Sequence, residues 1–373
     1  MIQTERTWPK MDTAFLVIHG VGSHRPFEAL DDFARNFLDV LKVDKKVNVK
    51  CTHKVQRKAD WIESYISSYI DGTAGMPTLD FYEYYWDCYM CREITVRELI
   101  EWIDTASDGA WYFYKNEMPK LAKQYEELGV DLFKDGEFRG YDVLLNRSAI
   151  IRLIIRLIAY SPFRFIIERL SQWNSLKDLV IYTSSDVRSQ NYEIRRKILD
   201  GAVEELKLLL NRYKQIVVVG HSLGSVIAYD AVDRIAHDMN IPGGISPQVA
   251  RRIKGLVTLG SPLDKIAFFF AERTPEENFI QRGILAHFHN FRRRKLKIDR
   301  HFKDIEDPFQ KKLGTRWLNI YHEKDRISGH LDAYYLAPKD NVPCKKTIPG
   351  VSTHSCYWQL RRECHDKIIQ RFF

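Results

Sequence analysis

A chain of 373 residues with 45% hydrophobic and 28% charged residues has the make-up of a globular protein. It can bury a large core and needs no disulfide framework. Its net charge is +8 and its pI about 9.0, which favours anionic surfaces such as phospholipid headgroups or nucleic acid without choosing between them. No window of about 18 apolar residues suggests a spanning helix. Residues 1–6 lack the basic start and apolar run of a secretory leader. The six cysteines, at 51, 88, 91, 344, 356 and 364, are scattered. Cys88 and Cys91 form a lone CxxC with no second ligand pair at zinc spacing, so no metal is expected. The thiols suit a reducing, cytoplasmic compartment.

No repeat or low-complexity tract interrupts the chain. Ala14-Phe15-Leu16-Val17-Ile18 is a continuous apolar run ending at His19-Gly20, as in a strand buried on both faces. Residues 27–41 read as a helix and 79–86, rich in aromatics, as a strand. Asp178-Leu179-Val180-Ile181-Tyr182 reads as a third strand. Residues 194–213 have helical periodicity. The β-branched run 215–219 ends in Gly220 and a helix follows over 223–238. Strands are expected at 255–259 and 317–321, and a terminal helix from about Tyr357. Strands alternating with helices predict an α/β fold with a doubly wound, mostly parallel sheet. Residues 88–177, helical in pattern, and 262–314, basic and irregular, read as lid-like insertions on a single domain spanning 1–373.

Gly220-His221-Ser222-Leu223-Gly224 is a G-x-S-x-G between a strand and a helix. So tight a turn needs small flanking residues and strains the serine while exposing its oxygen. The helix start behind it offers free N–H groups and a positive dipole end to a developing oxyanion. Ser222 is therefore the candidate nucleophile, and the Leu223 N–H a candidate oxyanion donor. His19-Gly20-Val21-Gly22, after the first strand, would face this turn. Its second donor would be the N–H of Val21 or, alternatively, Gly22, each worth roughly 3 kcal/mol. His19 itself would shape the loop.

The chain order expected of such a site is Ser, then an acid, then His. Asp325 lies just past the 317–321 strand, where catalytic side chains collect, and would orient a histidine. Asp264, after the preceding strand, is the runner-up. His354, in the loop before the terminal helix, is the candidate base, with His330 and His365 as competitors.

These residues carry a family likeness. The segment from Gly220 to Asp230, GHSLGSVIAYD, resembles the nucleophile segment of DDHD-type phospholipases, which are α/β-hydrolases. Leu179-Val180-Ile181-Tyr182-Thr183 resembles their preceding strand. Thr258-Leu259-Gly260-Ser261-Pro262-Leu263 is similar to their GSP turn and that of GPI inositol-deacylase-like lipases, and Asn319-Ile320-Tyr321-His322 is similar to their acid strand. The resemblance implies an intracellular lipase- or esterase-like serine hydrolase acting on a carboxylic ester, without a cofactor. A lipid-like acyl substrate is expected from that analogy and the apolar insertion. Thioesterase or peptidase chemistry remains open on the same residues, as does a non-catalytic adaptor that binds membranes.

Within the insertions, Ile150-Ile151-Arg152-Leu153-Ile154-Ile155-Arg156-Leu157-Ile158 places Arg152 and Arg156 on one helical face, as a lid or an interfacial helix would. Arg292-Arg293-Arg294-Lys295 with Lys297 is a basic cluster. It reads first as a solvated loop, with peripheral contact with an anionic membrane as the alternative. No nucleic-acid module is visible, so no nucleic-acid partner is expected. His287 and His289 lack further metal ligands.

Overall fold

The computed structural model describes residues 8–95 except 23, 59–60 and 73–74. It also describes 98, 102, 133–134, 137–138, 173–263 except 185–186, and 309–373 except 326 and 332–333. Asp264, the 150–158 run, the 292–297 cluster and His287/His289 lie outside the described residues, as do nearly all of the stretches 88–177 and 262–314 read as insertions.

The chain forms β1 (Thr13–Ile18), α1 (Glu28–Asp39), β2 (Val49–Lys58), β3 (Trp61–Ile70) and β4 (Leu79–Tyr84). A separate two-residue pair, β5 (Phe133–Lys134) and β6 (Glu137–Phe138), precedes α2 (Trp173–Tyr182) and α3 (Gln190–Arg212). Then come β7 (Gln215–His221), α4 (Leu223–Asp238), β8 (Ile253–Leu259), β9 (Arg316–His322), β10 (Asn341–Cys344) and α5 (Asp366–Phe372). Eight strands form one sheet in the order β10-β9-β8-β7-β1-β4-β3-β2. Neighbours from β10 to β4 pair in parallel; β3 and β2 add an antiparallel edge.

Both faces of the sheet are covered, so its central strands are apolar throughout. On β1, Ala14, Leu16 and Ile18 pack toward α2, α3 and α4, while Phe15 and Val17 pack toward α1 and α5. On β7, Ile216 and Val218 join the first layer and Val217 and Val219 the second. Each such burial is worth roughly 1.5–3 kcal/mol, and a one-residue slip would exchange the two faces. Helix α3 starts on a Ser189 cap that accepts the Tyr192 N–H. Helix α1 has no such cap of its own. The Glu83 carboxylate on β4 accepts the N–H groups of Phe27 and Leu30 instead.

Two expectations are corrected. Residues 178–182 are not a strand but the last turn and a half of α2, with Val180, Ile181 and Tyr182 buried against the sheet. A five-residue apolar run suits a buried strand and a buried helix equally, and periodicity does not separate them. The end of the chain is not one helix from Tyr357. A 3₁₀ turn (Cys356–Gln359) and a π turn (Arg361–His365) precede α5, because Leu360 leaves the helical region at φ −80, ψ 73. The β2–β3 hairpin was not anticipated at all. No helix among the described residues is long and apolar enough to cross a membrane.

Candidate active site

The site gathers at the carboxyl ends of β1, β7 and β9, as is usual for open parallel sheets. Ser222 stands between β7 and α4 with φ 53, ψ −128, a conformation that side chains other than glycine avoid. Holding it costs of order 1–3 kcal/mol. The neighbourhood over-determines the turn. The Ser222 N–H donates to the Leu259 carbonyl on β8 (3.0 Å). The Ser222 carbonyl accepts the Ser225 hydroxyl (2.5 Å), which also meets the Ser261 hydroxyl (2.7 Å). Added Cβ atoms at Gly220 and Gly224 would strike backbone at 2.4 Å and 2.1 Å. Both positions need glycine because strand and helix pass that closely.

The Ser222 Oγ lies 2.8 Å from His354 Nε2, and His354 Nδ1 lies 2.9 Å from Asp325 Oδ2. The structure thus brings together the three side chains named from the sequence, across 132 and 29 residues of chain. Burial alone would raise the pKa of Asp325. The hydrogen bond and charge of His354, the Tyr357 hydroxyl (2.7 Å) and the Ile327 amide (2.9 Å) outweigh it and hold the carboxyl well below the usual range. Asp325 stays ionised and accepts from the ring, which leaves His354 Nε2 to face the serine. The competing histidines are engaged elsewhere. His330 Nε2 meets the Tyr321 hydroxyl (2.5 Å), and the buried His365 meets the Trp358 carbonyl (2.7 Å).

Two residues that sequence reasoning missed support this line. His221 Nε2 bonds the His354 carbonyl (2.8 Å) and its ring lies 5.1 Å from the His354 ring, tilted by 34°. Burial, then the neighbouring His354, lower its pKa to about 3, so it remains neutral beside His354. Its position inside the motif was the available signal. Tyr357 is the second. Its hydroxyl donates to Asp325, accepts the His322 N–H (2.8 Å) and meets Ser328 Oγ (2.8 Å). Its ring packs where a side chain at Gly260 would clash. Tyr357→Phe leaves the buried His322 N–H unpaired and removes one donor from Asp325, at about 1–3 kcal/mol. We expect a lower Tm. An unchanged melting curve would refute this role.

The loop after β1 lies against the elbow, since a Cβ on Gly20 would sit 2.8 Å from Ser222 Cβ. His19 anchors it. The ring stacks on Trp86 (4.9 Å, 8°), Nδ1 meets the Gly20 carbonyl (3.0 Å), and the His19 carbonyl accepts the Trp86 indole N–H (2.9 Å). Burial, then His24, lower its pKa to about 3, so it is neutral too. The two candidate donors of this loop differ. The Gly22 N–H donates to Asp178 Oδ2 at 2.7 Å. Leu223 opens α4, so its N–H has no intrahelical acceptor.

Residues 163–266, well under half of the chain, match the family model of lipase (class 3). No curated protein and no solved structure matches the chain. The matched stretch includes α2, α3, β7, the Ser222 turn, α4 and β8, the part of the sheet that positions the serine. The mostly parallel eight-stranded sheet with helices on both faces has the architecture of the α/β-hydrolase fold, and over residues 163–266 the chain is similar to the class 3 lipases.

Proposed function

We propose that the protein is a serine esterase of lipase type that cleaves a carboxylic ester with a lipid-like acyl group. The observation that carries this reading is the 2.8 Å contact of Ser222 Oγ with His354 Nε2 at a strained strand–helix turn. In the proposed reaction His354 takes the Ser222 proton as the oxygen attacks the ester carbonyl. The oxyanion formed is met by the N–H groups of Leu223 and Val21. Collapse of the intermediate expels the alcohol, which takes the proton from His354. Water, deprotonated by the same ring, then attacks the acyl-serine and releases the acid. Asp325 keeps the ring oriented and balances its charge throughout.

The relation to class 3 lipases supports an ester of a lipid over an amide. The test is a panel of p-nitrophenyl esters from acetate to palmitate, alongside a matched thioester and anilide. Ester cleavage with kcat/KM rising toward medium or long chains is expected. Preference for the thioester or anilide would favour the other acyl-transfer chemistries, and inertness toward every substrate would refute the proposal.

A further inference from the structure

Asp178 has no part in the acyl-transfer chemistry, yet it is buried and reaches into the loop that faces the nucleophile. It is 1% exposed and sits near the end of α2. Its Oδ2 accepts the Gly22 N–H at 2.7 Å across 156 residues of chain. Loop 19–24 is otherwise fastened near its ends, by His19 on Trp86 and by the Tyr85 hydroxyl on the His24 carbonyl (2.9 Å). Between these fastenings, His24 Nε2 meets the Val21 carbonyl (3.3 Å) and Asp178 takes the next amide along. Gly22 has φ 98, a left-handed conformation that costs a glycine little. The loop would therefore relax readily if that amide were released.

We infer that Asp178 is a positioning residue. By clamping the Gly22 amide it fixes the adjoining Val21 amide opposite Leu223 and so preorganises the oxyanion site. The inference rests on the reading of Ser222 as nucleophile. It goes beyond that reading by assigning loop geometry to a carboxylate on another element. It also implies a pH dependence of its own. Burial raises the Asp178 carboxyl, against the lowering effects of the Gly22 amide and Lys177, and Asp87 and Glu93 raise it further, to about 7. Lys177 itself is turned to the Met90 carbonyl (3.3 Å) and Glu93 (3.5 Å), and the loop presents the His19 and His24 rings. Below that value the carboxyl is neutral and its grip on an N–H weakens. Protonation of Asp178 then slows acylation by loosening the loop.

The experiment measures the rate of Ser222 labelling by a fluorophosphonate across pH 5–9. It pairs this with hydrogen exchange of the loop peptide at matched pH, for wild type, Asp178→Asn and Asp178→Ala. Wild type should lose labelling rate toward acid pH more steeply than Asp178→Asn does. Asp178→Asn keeps an acceptor for Gly22 and loses the titration, so its acid limb should be shallower than that of wild type. Asp178→Ala should label about 10- to 100-fold more slowly at pH 8, with the Gly22 amide exchanging faster. A folded Ala variant with wild-type labelling and protection would overturn the inference, as would an Asn variant that keeps the wild-type acid limb. Wild type that fails to label would sink the esterase reading. Loop exchange would still report on the clamp, since it needs no catalysis.

Discussion

Replacing either Ser222 or His354 by alanine is expected to lower ester turnover by about 10⁴-fold or more, and replacing both to cost little beyond the larger single loss. The geometry requires this non-additivity. The Ser222 hydroxyl is a weak nucleophile until His354 Nε2, 2.8 Å away, takes its proton. The ring has no other proton to move in the acylation step once the hydroxyl is gone. Residual turnover would come from the Leu223 and Val21 amides and from substrate binding. Burst and steady-state assays on a p-nitrophenyl ester, with fluorophosphonate labelling, measure the effect. Additive losses in the double variant, or labelling that survives Ser222→Ala, would mean that another residue attacks. Ser222→Gly separates chemistry from strain. It removes the nucleophile but fits φ 53, so it should be inactive and more thermostable by about 1–3 kcal/mol.

The second large effect concerns folding. Gly224→Ala should lower stability by on the order of 4 kcal/mol, enough to leave little soluble protein. A Cβ there would lie 2.1 Å from the His19 carbonyl oxygen and 2.4 Å from that of Ile18. Both are backbone atoms at the end of a central strand and have no flexible end to swing aside. Relief would require α4 to lift off β1, opening the layer in which Val226 and Ile227 are buried. Gly243→Ala is the control. Its φ of +80 also disfavours alanine, but nothing lies within 4 Å of the added carbon. About 1 kcal/mol is expected there from backbone conformation alone. Thermal unfolding of the two variants side by side checks the argument. Equal melting temperatures would show that close approach at Gly224 is not what demands glycine.

Local pattern carried a large share of the fold. The runs at 14–18 and 215–219 became β1 and β7 because both faces of those strands are covered, which makes every position apolar. Helix α4 spans Leu223–Asp238, as expected from its spacing. The same kind of signal failed at 178–182, where Leu-Val-Ile packs against the sheet from α2. The central parallel strands leave no slot for that run, since β7 is flanked by β1 and β8. The β2–β3 hairpin escaped notice because its edge strand is largely exposed and polar, so little hydrophobic contrast marks it.

What the sequence determined by itself is the strand–turn–helix around Ser222 and the order in which serine, acid and histidine follow one another. Those features are set by backbone preferences within a few residues, which neighbouring side chains dictate. Tertiary structure alone decided that Asp325 and His354 meet Ser222 while His330 and His365 turn to other partners. It also decided that Gly22 is taken by Asp178 and that Tyr357 supports the acid. The contacts of Ser222 with His354, of Asp325 with His354 and Tyr357, and of Gly22 with Asp178 join segments 29 to 156 residues apart, which the packing of the sheet brings within 3 Å, and strand order is a property of the whole packed core rather than of any stretch of chain.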